Sequence, residues 1–191
     1  MDRWIFLRLN APAPEWWGDL LYFLSEGNKM DSVRIGLLLL AIVCLIYPKT
    51  RKATVIALLA WPLANGYAES LKYGFMMPRP SHPEFGFAEA IVRVDRLTSF
   101  GTASAHAANM AAVAGAYLLA FRPLGYAWAV VAVLTGISRI YVGVHYPYQV
   151  LLGWICGLFC ALLIYKMWDA VVQLRAPRQE TPKEPAEGPP G

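Results

Sequence analysis

The sequence predicts an all-α protein, a polytopic bundle of five membrane-spanning helices with short interfacial helices at its N-terminus. Three observations support this. Of 191 residues, 57% are hydrophobic and only 16% are charged. Five apolar segments approach the roughly 20 residues that a helix needs to cross hydrocarbon. The basic residues gather in the short stretches between those segments, which is the pattern of membrane topology. The composition excludes an ordinary soluble domain. The net charge of +4 is accounted for by that topology and carries no nucleic-acid signal.

The elements follow in order. Residues 1–30 hold two short apolar patches, Trp4 to Leu9 and Trp16 to Leu24. Glu15, Asp19 and Glu26 interrupt the second, and Pro12 and Pro14 separate the two. Tryptophans beside acids suit the headgroup layer, so two interfacial helices are expected. A tilted sixth span through 4–26 is the competing reading. The spans themselves are expected at 31–47, 53–73, 104–121, 124–141 and 150–168. Backbone polar groups in lipid must be satisfied within the segment, which makes these helices rather than open strands. Residues 176–191 carry five prolines among alternating charges and are expected to be a disordered cytoplasmic tail. The division is therefore 1–30 interfacial, 31–175 transmembrane and 176–191 tail.

Lys49, Arg51 and Lys52 join the first two spans, Arg122 joins the third and fourth, and Lys166, Arg175, Arg178 and Lys183 follow the fifth. The positive-inside rule places those ends in the cytoplasm. The loop 76–102 and the turn around His145 then share the external face. Arg79, Arg93, Arg96 and Arg139 on that face run against the rule, and such misplaced cations hint at function. Cys44, Cys156 and Cys160 all lie within apolar segments and read as small packing residues, with no disulfide framework implied. Gly136, Gly143, Gly153 and Gly157 read as points of close helix packing. The first nine residues lack an apolar core followed by small residues, so no cleavable signal peptide is expected.

The chemistry lies where cations meet the ends of apolar segments. Lys72 ends the second span, and Pro78 and Pro80 stiffen the chain around Arg79. Ser104 opens the third span, where backbone N–H groups and the helix dipole favour an anion, and His106 lies on its first turn. Arg139 ends the fourth span, and His145 precedes the fifth. Cationic donors held in place stabilise the charge that spreads over phosphate oxygens during hydrolysis, and arginine presents a planar fork to two of them. Of two histidines, one can attack phosphorus and the other can protonate the departing oxygen. Neither task needs a metal. His82 reads as a loop residue, and Glu69, one turn before Lys72, as an ion-pair partner of Lys72 or of an arginine such as Arg139.

These residues stand at the spacing of three motifs. Lys72, Arg79 and Pro80 complete Lys-x6-Arg-Pro. Ala103, Ser104, Ala105 and His106 stand where Pro-Ser-Gly-His would be. Ser138, Arg139, His145 and Gln149 match Ser-Arg-x5-His-x3-Asp except at the last position. The chain resembles the type 2 phosphatidic acid phosphatase (PAP2) family over 65–153. Its length and layout are similar to the small bacterial members, among them undecaprenyl-diphosphate phosphatases and lipid A phosphatases. The resemblance implies a lipid phosphatase of the cell envelope, working without a cofactor at the external face of the inner membrane. It implies that His145 is the nucleophile of a phosphohistidine intermediate, that His106 is the general acid, and that Lys72, Arg79, Ser104 and Arg139 hold the phosphate. Gln149 occupies the place of the carboxylate that orients the nucleophile. An amide oxygen can accept the same hydrogen bond without contributing charge, so Gln149→Asp is expected not to lower turnover. The expected substrate is undecaprenyl diphosphate, with lipid A or phosphatidylglycerophosphate next. Two alternatives use the same residues: a lipid-to-lipid phosphotransferase, and a catalytically weakened lipid-phosphate binding protein. The sequence leaves the oligomeric state open.

Overall fold

The computed structural model describes residues 2–175. Its regular structure is helical, with no strand among the described residues. The N-terminal helices are α1 (Asp2–Asn10) and α2 (Glu15–Glu26), followed by a 3-10 turn, Gly27–Lys29. The long helices are α3 (Asp31–Ile46), α4 (Pro48–Phe75), α5 (Ala105–Ala120), α6 (Arg122–Tyr141) and α7 (Pro147–Arg175). Each of the five expected apolar segments falls in one of these. The tail at 176–191 lies outside the described residues. α6 and α7 are long and apolar enough to cross a membrane.

The bundle is inside-out by the standards of a soluble protein. On α4, Ala53, Ala57, Ala60, Ala64 and Ala68 are buried, while Leu58, Leu59, Trp61, Leu63 and Tyr67 face outward. α3 exposes Leu37, Leu38, Leu39, Leu40, Ile42 and Val43 almost all the way round. Apolar surface on that scale needs a hydrocarbon solvent. Small residues inside let helix backbones approach closely, the means by which helices associate when lipid is as apolar as leucine.

α5 is the hub and packs against α4, α6 and α7. Its alanines meet Cys156, Cys160 and Ala161 of α7 in the central cluster. The contact is close because Gly153 and Gly157 carry no side chain. A Cβ on Gly157 would lie 2.1 Å from the Ala108 carbonyl oxygen, and one on Gly153 would lie 2.5 Å from that of Ser104. Gly136 makes room in the same way for Trp154 and Val150. Gly143 departs from the helix-packing expectation. It sits in the turn after α6 with φ +84, where a Cβ would also strike the Ile91 carbonyl 2.6 Å away. All three cysteines are free and buried.

Polar ties fix the two ends. Away from the site, Arg51 donates to the carbonyls of Leu45 and Ile46, closing the tight turn between α3 and α4. Lys52 pairs with Asp169 at 2.7 Å, joining the start of α4 to the end of α7. At the opposite end lie the last turn of α4, the start of α5, the end of α6 and the start of α7.

The N-terminal helices cover that second end. Pro14 stands in extended conformation before α2, so α1 and α2 are separate helices of 9 and 12 residues. α1 packs on α6 and α7, and α2 packs on α6. Phe6 is fully buried between the rings of Phe87 and Tyr146. Asn10 donates to the carbonyls of Ile91 and Tyr141 and accepts from the Ile91 N–H, tying α1 to the long loop 76–104. Arg93 belongs to the same framework. It donates to the carbonyls of Tyr141, Asn10 and Ala11, which corrects its reading as a functional cation.

Candidate active site

Two of the arginines expected in the site are deeply buried. Arg79 is 4% and Arg139 6% exposed. Arg79 leaves the loop that follows α4. Its Nε donates to the Ser99 carbonyl at 2.7 Å, and its Nη1 lies 2.9 Å from His145 Nε2. Gly101 makes this possible, because a Cβ there would stand 2.6 Å from Arg79 Cγ and 3.2 Å from Gln149 Oε1. The sequence reading missed Gly101; a lone glycine in a loop gives no signal of what passes beneath it.

The orientation of His145 follows from its neighbours. Gln149 Nε2 donates to the Pro78 carbonyl at 3.0 Å, and a carbonyl can only accept. The amide oxygen must therefore face the other way. It accepts from the Tyr146 N–H and lies 3.1 Å from His145 Nδ1. Nδ1 thus carries the proton, and Nε2 presents its lone pair towards Arg79. Gln149 alone fixes the tautomer and joins all three motifs: its side chain ties Pro78 to His145, and its backbone carbonyl accepts from the Ser104 N–H at 2.9 Å.

That last bond revises one detail. The Ser104 N–H is already used, and its hydroxyl caps α5 by accepting from Ala107 N. The N–H groups of Ala105 and His106 have no acceptor among the described residues and are the helix-start donors open to an anion. Lys72 pairs with Glu69, as their spacing implied. Arg139 does not pair with Glu69. Its Nη1 donates to Glu26 Oε1 at 2.9 Å and to the Ser25 carbonyl and hydroxyl. Asn28 reaches His106 Nε2 at 3.3 Å. Ser25 and Asn28 were not singled out in the sequence and Glu26 was read only as an interruption of an apolar patch, since nothing in a short amphipathic helix shows which end of a bundle it will cap.

His145 and His106 share one electrostatic neighbourhood, since Arg139 and Lys72 act on both. His82 lies apart. Its Nδ1 accepts from the Glu84 and Phe85 N–H groups, and its ring stacks between Phe85 and Phe100. It is a pillar of the loop. Among the described residues no three histidine, cysteine or carboxylate side chains gather at metal-binding distance.

Burial, then the charges of Arg79, Arg139 and Lys72, hold His145 well below the ordinary histidine value of 6.5. Burial and Arg139 pull Arg79 down to about 10, which leaves it charged at neutral pH. Burial pushes the Glu26 carboxyl up, but hydrogen bonds from Lys29 and Ser25 and the charges of Arg139 and Lys29 outweigh it and hold it below its ordinary value. The site at neutral pH therefore contains a neutral His145 among fixed cations. A nucleophilic imidazole must be neutral, so the role that the resemblance implies for His145 predicts that activity is lost only as pH falls through the lowered value. The acid limb of kcat/KM is expected below pH 6.5, once substrate ionisation has been measured separately and subtracted. A nucleophile limb at or above that value would contradict this electrostatic picture.

The fold and the site together define the class, that of the helical membrane lipid phosphatases. The PAP2 superfamily model matches residues 53–173, and the chain belongs to that family. It is 30% identical over 149 residues to an undecaprenyl-diphosphatase of Sulfolobus acidocaldarius, covering 75% of this chain and 67% of that protein. It is 28% identical over 176 residues to a lipid A 4'-phosphatase of Porphyromonas gingivalis, covering 88% and 73%. The crystal structure of Aquifex aeolicus LpxE shares the fold, with a TM-score of 0.70 at 23% identity over 86% of this chain and 94% of that one.

Proposed function

We propose that this chain hydrolyses a lipid phosphate or diphosphate without a metal, through a phosphohistidine formed on His145 at the external face of the bacterial inner membrane. The observation that carries the reading is the fixed tautomer of His145, which aims an unprotonated Nε2 into a cluster of cations. In this reading α3 to α7 are the five spans, and α1 and α2 lie at the interface. The Lys and Arg residues at the α3–α4 and α5–α6 junctions mark the cytoplasmic end, which leaves the site outside.

The chemistry runs in two halves. Phosphate oxygens enter among Arg79, Arg139, Lys72 and the free N–H groups at the start of α5, where Ser104 caps the helix. Arg79 Nη1 turns from His145 Nε2 to a phosphate oxygen and frees the lone pair. Nε2 attacks phosphorus, the bond to the leaving oxygen breaks, and His106, protonated once the anionic phosphate group is bound beside it, gives that oxygen its proton. Proton-bearing Nδ1 of His145 stays on Gln149 Oε1 throughout, so the positive imidazole is held by an amide dipole and not by a carboxylate. His106, now neutral, takes a proton from water as the water attacks phosphorus. The P–N bond breaks, and inorganic phosphate and neutral His145 are restored. The cations perform the charge stabilisation that a divalent metal would otherwise supply.

The names of its relatives make undecaprenyl diphosphate the first candidate and lipid A the next, with phosphatidylglycerophosphate carried over from the motif resemblance. The test is phosphate release from these three lipids by detergent-solubilised protein with and without EDTA. Release from at least one lipid, unchanged by EDTA, is expected. Loss of release in EDTA would remove the metal-independent mechanism, and no release from any lipid would remove the hydrolase reading.

A further inference from the structure

The family match begins at residue 53, yet an N-terminal strap, the last turn of α2 and the turn after it, reaches the centre of the site. Arg139 makes all of its hydrogen bonds through Nη1, to the Ser25 carbonyl, the Ser25 hydroxyl and Glu26 Oε1. Ser25 Oγ also donates to Glu26 Oε1 at 2.8 Å, which closes a triangle, and Lys29 holds the second carboxylate oxygen at 2.5 Å. The pair is largely desolvated, with side chains 7% and 11% exposed. Arg139 Nε is buried and has no partner among the described residues, and Nη2 makes no hydrogen bond there either. A buried donor without an acceptor is costly unless something arrives to meet it. Nε and Nη2 form one edge of the guanidinium, the edge that binds two phosphate oxygens at once.

We propose that Glu26, with Ser25, is a positioning residue of the phosphate site: it grips Arg139 by Nη1 and turns the Nε–Nη2 edge towards the phosphoryl group. The proposal rests on the phosphatase reading above. It assigns the N-terminal strap, outside the family match, a direct part in building the site. A carboxylate here serves a second purpose. Arg79, Arg139 and Lys72 repel one another, and Glu26 beside Arg139, with Glu69 beside Lys72, lets three cations share a small volume before the substrate arrives. Asn28 extends the same strap to His106.

A rival meaning of the same contact is that Glu26 is a stand-in anion that phosphate must displace. The two meanings give opposite results. If Glu26 positions Arg139, Glu26→Ala raises KM and the inhibition constant of orthovanadate, a phosphate mimic, by about tenfold or more. Glu26→Asp restores part of the loss. In a double-mutant cycle, Glu26→Ala adds almost nothing once Arg139 is already alanine, because the effect passes through that guanidinium. A purely structural role would give additive losses. A fall in KM or in the vanadate constant for Glu26→Ala would establish the displaced-anion meaning and overturn the proposal, as would additivity in the cycle. Should Glu26→Ala fail to yield folded protein, Ser25→Ala removes one oxygen of the grip and is read in the same cycle with the same criteria. Wild-type protein that neither releases phosphate nor binds vanadate would overturn the parent reading instead, a result recognisable without any variant.

Discussion

Replacing His145 with alanine abolishes phosphate release, with kcat lowered on the order of 10³-fold or more, while the bundle stays folded. The magnitude follows from the loss of the attacking atom, the imidazole nitrogen whose lone pair faces Arg79. Folding survives because the neighbours keep other partners. Arg79 retains the Ser99 and Val144 carbonyls, and Gln149 Oε1 retains the Tyr146 N–H. The check is phosphate release alongside size-exclusion behaviour and thermal unfolding of the variant. Equal release by wild type and variant would remove His145 from the chemistry.

The second large effect is expected at Gln149. Gln149→Leu has nearly the same volume but makes none of the polar contacts. It strands the Pro78 carbonyl, the Tyr146 N–H and His145 Nδ1 in a region where Gln149 itself is fully buried. Each stranded group costs about 1–3 kcal/mol, so the variant is expected to unfold at lower temperature. Its imidazole also loses the bond that fixes its tautomer, and kcat is expected to fall on the order of 10²- to 10⁴-fold. Gln149→Asp separates these effects. It keeps an acceptor for Nδ1 and adds the negative charge, so turnover is not expected to fall. It cannot donate to Pro78, so stability is expected to drop by about 1–3 kcal/mol. Turnover and unfolding temperature measured together on the two variants distinguish orientation from structural support. Normal turnover in Gln149→Leu would show that the tautomer needs no partner.

The long helices were legible because the apolar segments are continuous and their ends carry charge. The placement of Lys72, Arg79, His106, Arg139 and His145 at one end of the bundle was legible for a different reason, namely that the motifs fix their spacing to helix ends. What the sequence hid depends on tertiary contact. Glu26 looked like an interruption of an apolar patch, since only the docking of α2 on α6 carries it to Arg139. Arg93 looked like a misplaced cation because its partners, the carbonyls of Asn10, Ala11 and Tyr141, are far away in sequence. Gly143 and Gly157 are indistinguishable as letters, yet one is demanded by φ +84 in a turn and the other by a helix backbone against its Cα. Gln149 was seen as a departure from a carboxylate. Its tie to Pro78, which an amide can donate and a carboxylate cannot, became visible once the loop after α4 was placed.

The central claim is that an unprotonated His145 Nε2 takes the phosphoryl group from the lipid. Rapid acid-free quenching during turnover of a phosphorus-labelled lipid, followed by peptide mapping, tests it directly. Label on the peptide containing His145, stable in alkali, lost in acid and missing from His145→Ala, is the expected result. Turnover at full rate with no label on that peptide, or with label on another residue, would contradict the account.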